Sequence, residues 1–288
     1  MGFAANIDGR IVTDRNAACI PVLDRGFLYG DSIYEVLRTY SGGLFAVGEH
    51  LDRLWRSARA VGLVLPFGRE GLREEIDRTV SAAGNAETYV RIVVTRGAGE
   101  IGLDPAFADA PRMVIIAKEL TLPVAWTSGN GIAVRVVEVR RNLKNALDPG
   151  VKTGNYLNNV LAMAEARAAG DDDAIMLDYR GRVTEATTSN VFTVSKGRLL
   201  TPPLSVGILE GVTRGLIMRV ARERGLEVEE VDLLPEDLYR ADEVFLTGTL
   251  KEVVSVVRVN GLPVGGGDPG PVTRRISKWF EELTRRAT

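Results

Sequence analysis

The chain has 288 residues, 45% of them apolar, which is enough to bury two domain-sized cores and too apolar for a disordered chain. Lysine and arginine total 36 against 38 acidic residues, and a net charge of -2 excludes the basic excess that nucleic-acid and membrane-surface binders need. A single cysteine (Cys19), a single histidine (His50), no apolar run near the ~20 residues of a membrane span and no basic, apolar leader exclude internal disulfides, multi-histidine metal sites and a bilayer anchor, so a metal-free cytoplasmic protein is expected.

Ala4 to Ile7, Asp8-Gly9 and Arg10 to Thr13 read as a hairpin. Ile33, Val36 and Leu37 fall at helical spacing after Tyr29-Gly30-Asp31, and Gly42-Gly43 marks another hairpin turn. His50 to Val61 is an amphipathic helix with Leu51, Leu54, Ala58 and Val61 on one face; a second helix is expected over 69–83. Two β-rich runs, 88–95 and 112–117, flank a glycine-rich loop from Arg96 to Pro105. Periodicity is lost over 122–130, which reads as a linker. Beyond it come a strand at 132–139, a helix at 155–169, a hairpin over 174–195, a helix at 212–224, strands at 243–248 and 252–259, and a closing helix at 271–285. Elements mix without a strict βαβ rhythm, so the fold class is α+β, with an N-terminal domain over 1–121 and a larger C-terminal one over 131–288.

Candidate chemistry lies in five segments. Val151-Lys152-Thr153-Gly154-Asn155-Tyr156 precedes a helix whose apolar face is Leu157, Val160, Leu161 and Ala164. A lysine that forms a Schiff base must be fixed and partly desolvated. On this segment alone, a surface lysine before a helical turn is the favoured reading. Glu185 is followed by the small polar run Ala186-Thr187-Thr188-Ser189-Asn190, an odd choice for ordinary packing; a carboxylate there could keep a pyridine nitrogen protonated. Glu210-Gly211-Val212-Thr213 opens a helix and offers N–H groups to an anion. Thr247-Gly248-Thr249-Leu250 is a tight turn with another hydroxyl and N–H. Arg53, in Glu49-His50-Leu51-Asp52-Arg53, could pair with a phosphate. Strand-end acids, helix starts and solvated arginines explain each of these separately.

Taken together and in this order, the five segments resemble the class IV aminotransferases, and the resemblance runs from Asp24-Arg25-Gly26-Phe27 to the helix after Gly270-Pro271. It implies the fold type IV architecture: a small N-terminal α/β domain, a larger C-terminal pseudobarrel domain, pyridoxal phosphate (PLP) at their interface, and a homodimer that exchanges loops. It further implies that Lys152 binds the cofactor covalently and shuttles a proton between substrate Cα and the cofactor. Tyr156 would bond the ring hydroxyl and Glu185 the ring nitrogen, while Arg53, Val212, Thr213 and Thr249 would hold the phosphate. Lys251 and the other lysines match no cofactor motif, and His50 reads as structural beside Arg53.

Within the family the branches differ by substrate. Tyr89-Val90-Arg91 resembles the Tyr-x-Arg element that branched-chain enzymes place near a substrate carboxylate, and Thr249-Leu250 would join it. Tyr34-Glu35-Val36 departs from the Phe-Glu-Gly of that branch and, with Asp24-Arg25-Gly26, looks more like the D-amino-acid branch, whose Arg-x-His carboxylate trap is missing after Thr95-Arg96-Gly97. Tyr29, Tyr34 and Ile101-Gly102-Leu103 offer apolar surface to a side chain, and Arg38 or Arg96 offers another route to a carboxylate. The expectation is a transaminase for branched or aliphatic L-amino acids with 2-oxoglutarate as acceptor. Its rivals are a D-amino-acid or (R)-amine transaminase, a PLP lyase and a PLP carrier without turnover.

Overall fold

The computed structural model describes residues 2–108 and 110–287, and the chain divides into two compact units. The first comprises the chain up to Thr121 together with Val151–Asn155; the second comprises Leu122–Gly150 and Tyr156–Arg286. Val151–Asn155, expected within the C-terminal domain, thus packs with the N-terminal one, and the expected linker opens the second unit. Among the described residues no helix is long and apolar enough to cross a membrane.

In the first unit β1 (Phe3–Ile7) and β2 (Arg10–Val12) form the expected hairpin, closed by positive φ at Asp8 (52°) and Gly9 (88°). Helix α1 (Arg25–Tyr29) is capped by Asp24, whose Oδ1 accepts from Gly26 N–H. The helix suggested by Ile33, Val36 and Leu37 is instead a nine-residue strand, β3 (Ser32–Tyr40). Most of its side chains are buried on both faces, which hides the alternation that marks a strand and leaves a spacing that mimics a helix. After β4 (Gly43–Leu44) come helices α2 (Val47–Ala60) and α3 (Arg69–Ala83), then β5 (Thr88–Thr95) and β6 (Arg112–Glu119). The antiparallel sheet runs β2-β1-β6-β5-β3-β4. Leu51 and Leu54 of α2 and Leu72 and Ile76 of α3 pack on Ile33, Leu37, Val90, Ile92 and Ile115, each contributing roughly 1.5–3 kcal/mol when fully buried.

The second unit contains α4 (Val124–Thr127), β7 (Ile132–Val136), α5 (Leu157–Ala168), β8 (Asp173–Leu177), β9 (Val183–Ala186), β10 (Asn190–Ser195), β11 (Arg198–Thr201), α6 (Val212–Glu223), β12 (Val228–Glu230), α7 (Pro235–Arg240), β13 (Glu243–Gly248), β14 (Glu252–Val259), β15 (Leu262–Pro263) and α8 (Pro271–Ala287). The order β10-β13-β14-β7-β8-β9 returns to β10 through the pair Glu185↔Asn190, closing a ring of six strands as the pseudobarrel expectation requires. The apolar face of α5 points out. Leu157, Val160 and Leu161 are 69%, 58% and 52% exposed, whereas Asn159, Ala162 and Ala166 are buried. Alanines let the helix approach β8 closely, so small residues rather than large ones mark its inner face.

Candidate active site

In the first unit, alternation along β3 sends Ile33, Glu35 and Leu37 toward the helices and Tyr34, Val36 and Arg38 to the opposite face. Glu35 is therefore a carboxylate carried into a helix–sheet core, with 0% exposure. Helix α2 meets it with a polar stripe of His50, Arg53 and Ser57, all buried. Arg53 donates from Nε to Glu35 Oε1 and from Nη2 to Oε2, both at 2.7 Å. His50 Nδ1 lies 2.8 Å from Oε2; an ionised carboxylate only accepts, so the histidine proton sits on Nδ1. Burial alone would raise the Glu35 pKa, but the Arg53 charge and the hydrogen bonds of Arg53 and His50 override it and hold the carboxyl at about 2. Burial pushes His50 below its ordinary value against the pull of Glu35, and the charges of Arg53 and Lys152 act in the same sense as burial.

The Lys152 segment docks on β3 through its backbone. Tyr34 N–H donates to the Lys152 carbonyl (2.9 Å), Gly154 N–H donates to the Ser32 carbonyl (2.8 Å), and Lys152 N–H donates to Ser57 Oγ (3.2 Å). Gly154 lets the segment approach β3 closely: a Cβ there would lie 2.1 Å from Ser32 Oγ, so the serine would have to rotate away. Lys152 Nζ sits 4.4 Å from the centroid of the Tyr34 ring, and the Arg91 guanidinium lies 3.9 Å from the same ring. Arg91 stands opposite Val36, and Tyr89 opposite Arg38, on paired β5. Among the described residues Arg91 meets no carboxylate.

Two arginines offered by the sequence for a carboxylate have other partners. Arg96 donates to Asp31 Oδ2 (2.7 Å) and to the Gly62 and Val61 carbonyls (3.0 and 2.9 Å), bracing the loop after β5. Arg38 stacks on Tyr40 (4.2 Å) and faces Glu87 at 3.9 Å. The Tyr29 hydroxyl accepts from Gly102 N–H (3.0 Å), fixing the loop that exposes Ile101 and Leu103.

In the second unit the barrel-closing pair joins Glu185 to Asn190. Glu185 is 4% exposed; Arg141 Nε donates to its Oε1 (2.9 Å), and Leu209 N–H donates to Oε2 (3.0 Å). Asn190, its strand partner, donates to the Leu209 carbonyl (2.9 Å) and reaches Glu185 Oε2 at 3.5 Å. Arg141 also donates to Asn158 Oδ1 (3.2 Å), tying Glu185 to the start of α5, where Tyr156 is the N-cap. Gly211 precedes α6 so near Asn190 that a Cβ would lie 2.0 Å from Oδ1. The first turn of α6, with Val212 and buried Thr213, has no side-chain cap, and the N–H groups at such a helix start are donors suited to an anion. Asn190 also pairs with Thr247, whose buried Oγ1 has no partner, and Thr249-Leu250 follow in the next turn. Asn159 Oδ1 is likewise buried and unpaired. Arg141, Asn190 and Glu35 had no role in the sequence reading; Arg141 lies 44 residues from Glu185 in the chain, beyond any local signal.

Each unit carries groups that suit pyridoxal phosphate: a fixed lysine in the first, and in the second a buried carboxylate, an uncapped helix start for a phosphate, and unpaired polar atoms that a ligand would satisfy.

Residues 32–259 match the family described as amino-transferase class IV. A putative branched-chain-amino-acid aminotransferase of Methanocaldococcus jannaschii is 38% identical over 278 residues, covering 96% of this chain and 95% of its own. A D-alanine aminotransferase of Listeria monocytogenes is 34% identical over 290 residues, covering 95% and 94%. The crystal structure of the branched-chain amino acid aminotransferase from Thermobaculum terrenum in its PLP form superimposes with a TM-score of 0.89 at 27% identity, over 99% of this chain and 94% of that one.

Proposed function

The chain belongs to the class IV aminotransferases, which are PLP enzymes, and from that premise we propose that it moves the amino group of branched or aliphatic L-amino acids to a 2-oxo acid such as 2-oxoglutarate. When bound, pyridoxal phosphate supplies an electron sink for the substrate α-carbon. Lys152 Nζ would hold it covalently and, as the free amine once the substrate amino group has displaced it, would take and return the proton on substrate Cα. Glu185, kept in place by Arg141, Leu209 and Asn190, holds the proton on the ring nitrogen, and Tyr156 orients the ring through its hydroxyl. Arg53, fixed by Glu35, binds the phosphate with the Val212 and Thr213 N–H groups and Thr249.

One observation carries the substrate reading. Arg91 shares the Tyr34 ring with Lys152, so a carboxylate bound by Arg91, Tyr89 and the Leu250 turn presents its molecule to the reactive amine. We assign the assembly as a cytoplasmic homodimer. The exposed aliphatic stripe of α5 and the exposed Ile101 (76%) and Leu103 (81%) support the dimer as surfaces to be covered, and free Cys19 suits a reducing compartment. The D-alanine aminotransferase likeness supports a second reading, D-amino-acid or (R)-amine donors. A donor panel with 2-oxoglutarate separates them: L-valine, L-leucine and L-isoleucine are expected to react faster than D-alanine and (R)-1-phenylethylamine, and the reverse order sinks the first reading.

A further inference from the structure

Lys251 matches no motif, yet it is only 5% exposed. Its Nζ donates to Asp173 Oδ2 (2.7 Å), Ser189 Oγ (2.9 Å) and Thr188 Oγ1 (3.0 Å), and lies 4.6 Å from the centroid of the Trp126 ring. An ammonium has three protons, so these acceptors saturate it. Lys251 therefore acts through what it holds, and it holds two turns together. It ends the turn from β13 to β14, where Glu252 adopts a left-handed φ of 55°. Thr188 and Ser189 form the turn from β9 to β10, shortly after Glu185. Asp173 serves both turns, since its Oδ1 accepts from Thr187 Oγ1 at 2.6 Å. The approach is close: a Cβ on Gly248 would lie 3.2 Å from the Thr188 carbonyl oxygen and 3.4 Å from Ser189 Oγ. Desolvation offsets much of the attraction in so buried a pair, and well-packed apolar residues often serve stability equally well. A buried pair that joins two turns is better explained by the geometry it imposes.

We propose that Lys251 is a positioning residue that locks the Thr249-Leu250 turn against Thr188 and Ser189, so that the Thr249 hydroxyl and the adjoining N–H groups meet an oxyanion. The oxyanion is a phosphate or a carboxylate, and the inference rests on the reading above of Thr249 and Leu250 as anion-binding residues. Thr188 and Ser189 accept from the ammonium, so their own protons turn to other acceptors and are polarised for donation.

The test uses Lys251→Met and the double variant Lys251→Met/Asp173→Asn, which leaves no buried carboxylate unpaired. Titrating each apoenzyme with pyridoxal phosphate and with pyridoxal isolates the phosphate contribution as a ratio of dissociation constants. Titrating each holoenzyme with 3-methylbutanoate, an unreactive carboxylate, isolates the other source. Hydrogen bonds to charged groups are strong enough that at least one of these affinities is expected to fall about tenfold in both variants, with thermal stability recovered in the double variant. The affinity that falls names the anion. A double variant with recovered stability and wild-type affinities in both titrations overturns the proposal, because a residue needed only for folding behaves that way. Thr249→Val tests the underlying reading: if neither affinity moves there, the turn does not bind the anion and the proposal falls with that reading, whereas a drop in Thr249→Val without one in the Lys251 variants overturns the positioning role alone.

Discussion

Glu35 and Glu185 are both buried carboxylates that meet an arginine, one in each unit, and they are built for different ends. Glu35 takes Arg53 through two parallel bonds and His50 through a third, so guanidinium and imidazole fix one another around it. Glu185 takes Arg141 through Nε on one oxygen and a backbone N–H on the other, an arrangement that orients the carboxylate while leaving lone pairs for a further donor. A carboxylate closed upon its own chain stabilises a fold and aims an arginine. One gripped only from its flanks keeps acceptor capacity for a ligand, the role proposed for Glu185.

The largest effect expected is from Lys152→Ala, since the proposed chemistry runs through its amine. Turnover should fall more than about 10³-fold, with no borohydride-trappable cofactor and an unchanged circular dichroism spectrum. Near-normal turnover with a trappable link would remove Lys152 from the chemistry. Next, Glu185→Gln should lower kcat by about 10²-fold while shifting PLP affinity only a few fold, because the amide cannot hold the ring nitrogen protonated. An unchanged kcat would remove Glu185 from the electron-sink role.

Glu35→Gln should behave the opposite way. It leaves Arg53 buried without its counter-charge, and a loss of about 3–5 kcal/mol in stability is expected, with weakened PLP retention and a smaller change in kcat at saturating cofactor. Its pH dependence has a definite sign. The folded carboxyl titrates near 2 against an ordinary 4.5, so its contribution is complete above pH 4.5 and is lost as pH falls toward 2. His50, also lowered in the fold, takes up a proton on unfolding below about pH 6.5 and adds to acid destabilisation in both proteins. Thermal melts at pH 7, 4 and 3 should show the gap between wild type and Glu35→Gln narrowing; a widening gap would refute the ion-pair account.

What the sequence disclosed follows from how far each signal reaches along the chain. Arg69–Ala83, Thr88–Thr95, Glu243–Gly248 and Glu252–Val259 carry regular periods and fold as read. The run 174–195 read as one hairpin but is three strands, because all five residues of β8 are buried and show no alternation. β3 and the inner face of α5 misled for related reasons: burial on both sides of a strand, and alanine in place of leucine on the packed side of a helix. Lys152 and Glu185 stand in recognisable local segments. Arg141 and the Lys251–Asp173 pair do not, since their contacts span 44 and 78 residues.

The loop after β5 has a consequence for association. Asp31 Oδ2 receives both Arg25 and Arg96; Arg25 also donates to the Gly102 and Leu103 carbonyls, at 2.8 and 3.2 Å. A glycine-rich loop displaying Ile101 and Leu103 would ordinarily surrender backbone entropy when another surface covers it, roughly 1–2 kcal/mol per residue. Here much of that ordering is already complete in the isolated chain. The two side chains are offered as a preorganised template, so covering them gains apolar burial with little further loss of freedom.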